Sequence, residues 1–155
     1  MAYVHVAHDC SIGNNCVLVN AVQVAGHVTI DDWAIIGGAS AVHQFVKVGA
    51  HVMVSGGSLV RKDVPPFTKA AREPLTYCGI NTIGLRRRGF DADKITEIQE
   101  IYRYIFLKGL NNSKALDLVE KELPESKERD HILNFIKASE RGIMKGFSSG
   151  TSAFE

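Results

Sequence analysis

The chain has 155 residues, 45% of them hydrophobic, and a formal net charge of +1. That length fits one domain with a buried core, and the near-neutral balance argues against a general nucleic-acid binder. No apolar run approaches the roughly 18 residues that span a bilayer, no cationic leader is visible, and three cysteines, an odd count, fit a reducing compartment; a soluble cytoplasmic protein is expected.

The first 60 residues follow a period of six. Stepping from Val6 gives Val6, Ile12, Leu18, Val24, Ile30, Ile36, Val42, Val48, Val54 and Val60, all aliphatic. If about a quarter of residues were Val, Ile or Leu, ten in succession would arise by chance roughly once in a million. Four residues after each comes a small or β-branched side chain, from Cys10 and Cys16 to Val64. Hexapeptide repeats of this kind predict a parallel β-helix, three hexads to an 18-residue triangular coil, with the aliphatic residue pointing inward. Solenoids with this hexad are left-handed, an exception to the usual crossover rule. A little over three coils are expected. Cys10 and Cys16 share the small position on adjacent faces, so neither a disulfide nor a metal pair is expected there. Residues 1–5 offer no cap, yet an end coil presents unpaired strand edges; the chain is therefore expected to be the C-terminal piece of a longer β-helix.

Asp63, Val64, Pro65, Pro66 and Phe67 are expected to end the repeats, because adjacent prolines cannot donate to a ladder. The domain reading is a β-helix over 1–66, a basic connector over 67–90 and a small α-helical domain over 91–155. Residues 61–90 hold seven Lys and Arg against Asp63 and Glu73, net +5, between blocks of −2 on either side. Such a belt suggests an anion site. Helical patterning follows: Asp91 as N-cap with Ile95, Ile98, Tyr102, Ile105 and Phe106 up to Gly109; a second helix from Ser113 with Leu116, Val119 and Leu123; a third from Ser126 with Ile132, Phe135 and Ile136 to about Gly142. These stripes are expected to be core. The polar tail GFSSGTSAFE is expected to fray.

Five of the six histidines lie within the repeats, off the aliphatic positions, so they should decorate the surface. An 18-residue coil stacks His8, Gly26 and Gln44 in one column, Asp9, His27 and Phe45 in the next, and Ala7, Ala25 and His43 in another. Gly26 beside His8 leaves a recess and an accessible backbone N–H. A base next to a free N–H is what acyl transfer requires: one takes a proton, the other holds the oxyanion. A zinc site is the alternative reading of these histidines. Trimeric β-helix carbonic anhydrases use two histidines five apart, and the histidine spacings here are 3, 19, 16 and 8; no metal is expected.

The stretches HVAHDC, AGHVTIDDWAIIGG, AVHQF, GAHVMV, KDVPPF, GIN and GLRRRGF together resemble the UDP-N-acetylglucosamine O-acyltransferases of bacterial lipid A biosynthesis. The resemblance covers the whole chain but only the C-terminal half or so of a family member. It implies a left-handed β-helix followed by helices, assembled as a homotrimer with active sites between subunits. It also implies transfer of a 3-hydroxyacyl group from acyl carrier protein to the 3-hydroxyl of UDP-N-acetylglucosamine. No resident cofactor is implied, since phosphopantetheine arrives on the carrier protein. His8 resembles the general base, Asp9 its supporting carboxylate, and Gly26 the oxyanion donor. His5, His27, His43 and Gln44 would line the cleft, while Asn81, Arg87 and Arg88 would hold the nucleotide. Gly56 would leave the acyl groove open to chains of about fourteen carbons or more, each buried CH₂ contributing about 0.8 kcal/mol. Pro74 and Ile83 depart from the family pattern, and the family's sugar-binding Asp and Lys lie in earlier coils, so an inactive fragment stays open as a reading. So do a sugar acetyltransferase using acetyl-CoA and a non-catalytic trimeric scaffold.

Overall fold

Each hexad must turn the chain by a third of a circuit, and the backbone does so the same way each time. A computed structural model, which describes residues 1–146, has a left-handed backbone conformation at every sixth residue from Tyr3 through Asp9, Asn15, Ala21, His27, Trp33, Ala39, Phe45 and His51 to Gly57, with φ between 58° and 70°. Nine of these ten are not glycine, although a side chain in that conformation costs roughly 1–2 kcal/mol.

Between corners lie two-residue strands: β1 (His5–Val6), β2 (Ser11–Ile12), β3 (Val17–Leu18), β4 (Gln23–Val24), β5 (Thr29–Ile30), β6 (Ile35–Ile36), β7 (Ala41–Val42), β8 (Lys47–Val48), β9 (Met53–Val54) and β10 (Leu59–Val60). They pair in parallel as three ladders, β1-β4-β7-β10, β2-β5-β8 and β3-β6-β9. The register is 18: His5 faces Gln23, Gln23 faces Ala41, and Ala41 faces Leu59. This is the expected left-handed parallel β-helix. Its interior takes both repeat positions, because Val22, Val28, Ala34, Val46 and Val52 are fully buried beside Val24, Ile30, Ile36 and Val48. The small position also supplies hydrogen bonds. Cys10, Cys16 and Ser40 each donate to the carbonyl fifteen residues on, at Ala25, Asp31 and Ser55, all at 3.1 Å. Cys10 and Cys16 are free thiols. In the first coil Val6 and Ile12 remain 40% and 37% exposed.

The prolines do not end the solenoid, contrary to expectation. Val64 bridges Val48 in parallel, the Phe67 N–H donates to the Ala50 carbonyl at 2.8 Å, and Phe67 forms one more left-handed corner at φ 70°. The next strand, β11 (Thr68–Ala71), then joins β9 with Lys69 facing Met53, a register of 16, so this fourth coil is two residues shorter. Pro66 fits because Gly49 lacks a side chain: a Cβ there would lie 2.5 Å from the Pro66 nitrogen. The stretch expected as a plain connector carries on the sheet. Strand β12 (Thr76–Ile80) runs antiparallel to β11, and helix α1 (Thr82–Arg87) follows.

Helix α2 (Ala92–Tyr102) starts at its expected cap, Asp91, whose carboxylate accepts from the Lys94 N–H at 2.8 Å. A π-helical turn at Arg103–Leu107 extends it. Helix α3 (Asn112–Glu122) is capped by Asn111, two residues before the expected start, because Asn111 takes the Lys114 N–H at 2.9 Å. Helix α4 (Lys127–Lys137), capped by Ser126, stops short of Gly142. The chain then returns as β13 (Lys145–Gly146) beside β12, so the last element is sheet rather than helix. Ile95, Ile98, Leu116, Val119, Ile132 and Ile136 are buried as expected. The tail expected to fray lies, from residue 147, outside the described residues. No helix among the described residues is long and apolar enough to cross a membrane.

Close coil stacking makes Gly37 intolerant of a side chain, since its Cβ would meet the Gly56 nitrogen at 2.3 Å. Gly37→Ala should lower the free energy of unfolding in urea by about 1–3 kcal/mol, as overpacking does. Gly57 is at a corner with nothing within 4 Å of a Cβ. Gly57→Asn should stay within about 0.5 kcal/mol of wild type, because Asn tolerates positive φ.

Candidate active site

The prism has three corners, and the candidate residues fall on all three. The first follows strands β1, β4 and β7. Here the His8 ring Nδ1 lies 2.9 Å from Asp9 Oδ2; in the neutral tautomer that donates Nδ1–H to the carboxylate, Nε2 keeps its lone pair. The hydrogen bond from His8, with help from nearby His27, holds the Asp9 carboxyl below its usual value, so it stays ionised. The imidazole lies against Gly26 of the next coil. A Cβ on Gly26 would come within 2.8 Å of His8 Cε1 and 2.9 Å of Nε2. The recess inferred from the column is therefore filled by the ring itself, and only glycine permits that approach. The ladder binds the Ala25 and His27 N–H groups to the Val42 and His8 carbonyls. Between them the Gly26 N–H has no acceptor among the described residues, but Gly26 is buried under the His8 ring rather than open as the column implied. An imidazole and a backbone N–H thus share one corner on consecutive coils.

The surrounding residues follow the columns. His27 stacks on Phe45 with centroids 4.8 Å apart, stands perpendicular to His8, and brings Nε2 to 3.8 Å from Asp9 Oδ2. His43 hydrogen-bonds through Nδ1 to the Gln44 carbonyl at 3.1 Å. His5, on β1, is exposed, as are His8, His27, His43 and Gln44. All five occupy the same side of the prism.

Asn81, Arg87 and Arg88 lie at the second corner, after β2, β5 and β8. Asn81 is buried and caps α1, accepting from the Gly84 N–H at 3.3 Å and donating from Nδ2 to the His51 carbonyl at 3.0 Å. Its amide anchors the helix to the corner. Arg88 Nη1 sits 3.2 Å from His51 Nδ1, and its guanidinium lies 5.2 Å from the centre of the Trp33 ring. Arg87 is exposed. The rings of Trp33, His51 and Phe67 stack along this corner at 6.4 and 5.6 Å. His51 is half-buried, unlike the other repeat histidines, and burial together with the charges of Arg88 and His131 pushes its pKa down to about 4. Neutral His51 accepts the Arg88 hydrogen bond. A cavity of about 480 Å³ opens beside it, between the His51, Phe67 and Phe90 rings and the start of α4. Column reasoning placed His51 on the surface; the covering elements α1 and α4 break the six-residue period, so no repeat signal could reveal them.

Gly56 belongs to the third corner, after β3, β6 and β9, where it is exposed and stacks over Gly38. Within one chain, then, His8, the arginine cluster and Gly56 occupy separate corners.

A family profile described as UDP N-acetylglucosamine O-acyltransferase, domain 2, matches residues 63–144. The chain is 45% identical over 149 residues to an acyl-[acyl-carrier-protein]–UDP-N-acetylglucosamine O-acyltransferase of Burkholderia lata, covering 94% of this chain and 57% of that protein. It is 41% identical over 145 residues to the protein of the same name in Thiobacillus denitrificans, covering 94% and 56%. The structure of a UDP-N-acetylglucosamine acyltransferase from Bacteroides fragilis superposes with a TM-score of 0.90 at 51% identity, over 92% of this chain and 56% of that one. The corresponding Francisella novicida structure gives a TM-score of 0.90 at 40% identity, over 100% and 59%. The chain spans rather more than half the length of these relatives.

Between pH 6.5 and about 4 the unfolded chain binds a proton at His51 that the folded chain refuses, so stability falls as pH is lowered through that window. His51→Asn, which suits the left-handed corner, should flatten that part of the pH dependence of the melting temperature. Identical slopes in both proteins would show that His51 is not held neutral.

Proposed function

The chain belongs to the UDP-N-acetylglucosamine O-acyltransferase family, and on that premise we propose that it carries the catalytic corner of an enzyme that acylates UDP-N-acetylglucosamine. The donor is a 3-hydroxyacyl group on acyl carrier protein, the acceptor the 3-hydroxyl of the sugar, and the step is the first of lipid A biosynthesis. The observation that carries this reading is the His8–Asp9 pair lying on Gly26.

The chemistry follows from that pair. His8 Nε2 takes the proton of the sugar hydroxyl as its oxygen attacks the thioester carbon. Ionised Asp9 stabilises the resulting imidazolium through Nδ1–H. The Gly26 N–H donates to the oxyanion, whose collapse expels the phosphopantetheine sulfur; that sulfur recovers the proton from His8. No resident cofactor takes part. His5, His27, His43 and Gln44 border the same corner and line the sugar and acyl path. Arg87 and Arg88 supply positive charge for the diphosphate, Arg88 held in place by His51 and Trp33, while Asn81 contributes by seating the helix that carries them. The separate corners are joined when chains assemble around a three-fold axis, so that residues of different corners meet in the clefts between neighbouring chains. The working location is the cytoplasm, where acyl carrier protein is loaded.

The test is acyl transfer by the protein expressed from its own complete reading frame, with 3-hydroxyacyl carrier protein and acetyl-CoA offered separately. Transfer should occur from the carrier protein and persist in a chelator. His8→Ala should lower kcat by roughly 10²–10⁴-fold with a much smaller change in KM. In the same assay, Gly56→Met should move the preferred donor from about fourteen carbons toward roughly ten, since a filled groove forfeits the burial of the longer chain. Near-normal turnover by His8→Ala, or transfer from acetyl-CoA alone, would contradict the proposal.

A further inference from the structure

The catalytic corner holds more donor atoms than acyl transfer uses. His8, Asp9 and His27 each present one metal-competent atom, and these lie within 4.8 Å of one another. His8 Nδ1 is 2.9 Å and His27 Nε2 3.8 Å from the same carboxylate oxygen of Asp9. Ligands about 2.1 Å from a tetrahedral zinc ion stand roughly 3.4 Å apart; the two separations from Asp9 straddle that value, and the whole set spans no more than 4.8 Å. The two imidazole rings are perpendicular, with centroids 5.1 Å apart.

The backbone that carries the set is held by the ladder. Asp9 and His27 are successive corner residues of one column, tied by the hydrogen bond from the His27 N–H to the His8 carbonyl at 3.1 Å. Phe45 stacks behind His27 and fixes its ring. Ligands held by a β-ladder lose little freedom on binding, which favours affinity. The histidine spacings in the sequence concealed this set, because the ligands come from adjacent coils 19 residues apart and one is a carboxylate.

We propose that His8, Asp9 and His27 form a zinc(II) site in which the bound ion switches off acyl transfer. The metal takes the Nδ1 lone pair of His8 in place of the hydrogen bond to Asp9, and the ring proton moves from Nδ1 to Nε2. Nε2 then has no lone pair for the sugar hydroxyl. Two histidines and a carboxylate leave a fourth position for water. Binding rests on the geometry alone, whereas inhibition rests on the reading of His8 as the base.

Isothermal titration of the protein with zinc chloride, and separately with magnesium chloride, measures the binding. Zinc should bind at one ion per chain and magnesium should not, because imidazole suits zinc and the harder ion prefers oxygen. His27→Asn and Asp9→Asn keep residues that accept a left-handed corner, and circular dichroism checks that each variant folds. Each should weaken zinc binding at least roughly tenfold, the scale on which even supporting residues of metal sites act. Unchanged zinc affinity in His27→Asn, or no zinc binding by wild type, would overturn the site. In parallel, zinc should inhibit transfer and EDTA should restore it. Binding without inhibition would leave the site standing and overturn the switch.

Discussion

Everything in this protein hangs on the parallel ladder that sets residue i beneath residue i+18. The ladder bonds fix the rise between coils, and each corner is closed by a residue in the left-handed region. Nine non-glycine residues accept that conformation at a cost of roughly 1–2 kcal/mol each. The offset comes from the ladders and from a core in which both the aliphatic and the small repeat positions are buried. The same register that packs Val24 against Val42 also sets His8 on Gly26 and His27 over Asp9. Core and site are two readings of one periodicity.

That dependence explains what could be read from sequence. The ten aliphatic positions announce the prism, and the 18-residue columns announce the His8, Gly26 and Gln44 corner, because both follow from the period alone. The period fails where the chain leaves it. Pro65 and Pro66 look like a stop, yet the coil continues at a register of 16, made possible by the missing side chain of Gly49. The hairpin of β11 and β12, and the return of β13, carry no repeat. His51 looks like one more outward histidine, and only the folding back of α1 and α4 turns it into a neutral acceptor for Arg88. Capping chemistry, by contrast, is local, so Asp91 and Ser126 were legible as helix starts.

The division of labour among corners is a consequence of building a site on a triangular prism. One face can bring together only what lies on neighbouring strands and coils, so the proposed substrate, with a sugar, a diphosphate and an acyl chain, would exceed what one corner can offer. The first corner has the His8–Asp9 pair on Gly26, the second has the fixed positive charge of Arg88, and the third has the exposed Gly56. Asp9 links two possible chemistries at the first corner. As an acceptor from Nδ1–H it orients a base; as a ligand beside two histidines it would hold a cation.

On the proposed mechanism, the coil register leaves His8 with its proton on Nδ1, against Asp9, and its lone pair on Nε2, against Gly26. Long-range ¹H–¹⁵N correlation spectra of the metal-free protein, with the imidazole nitrogens labelled, read that tautomer directly. Neutral His8 should show a protonated Nδ1 and a bare Nε2, and Asp9→Ala should shift the balance toward the other tautomer. A wild-type His8 already protonated on Nε2 would contradict the base assignment.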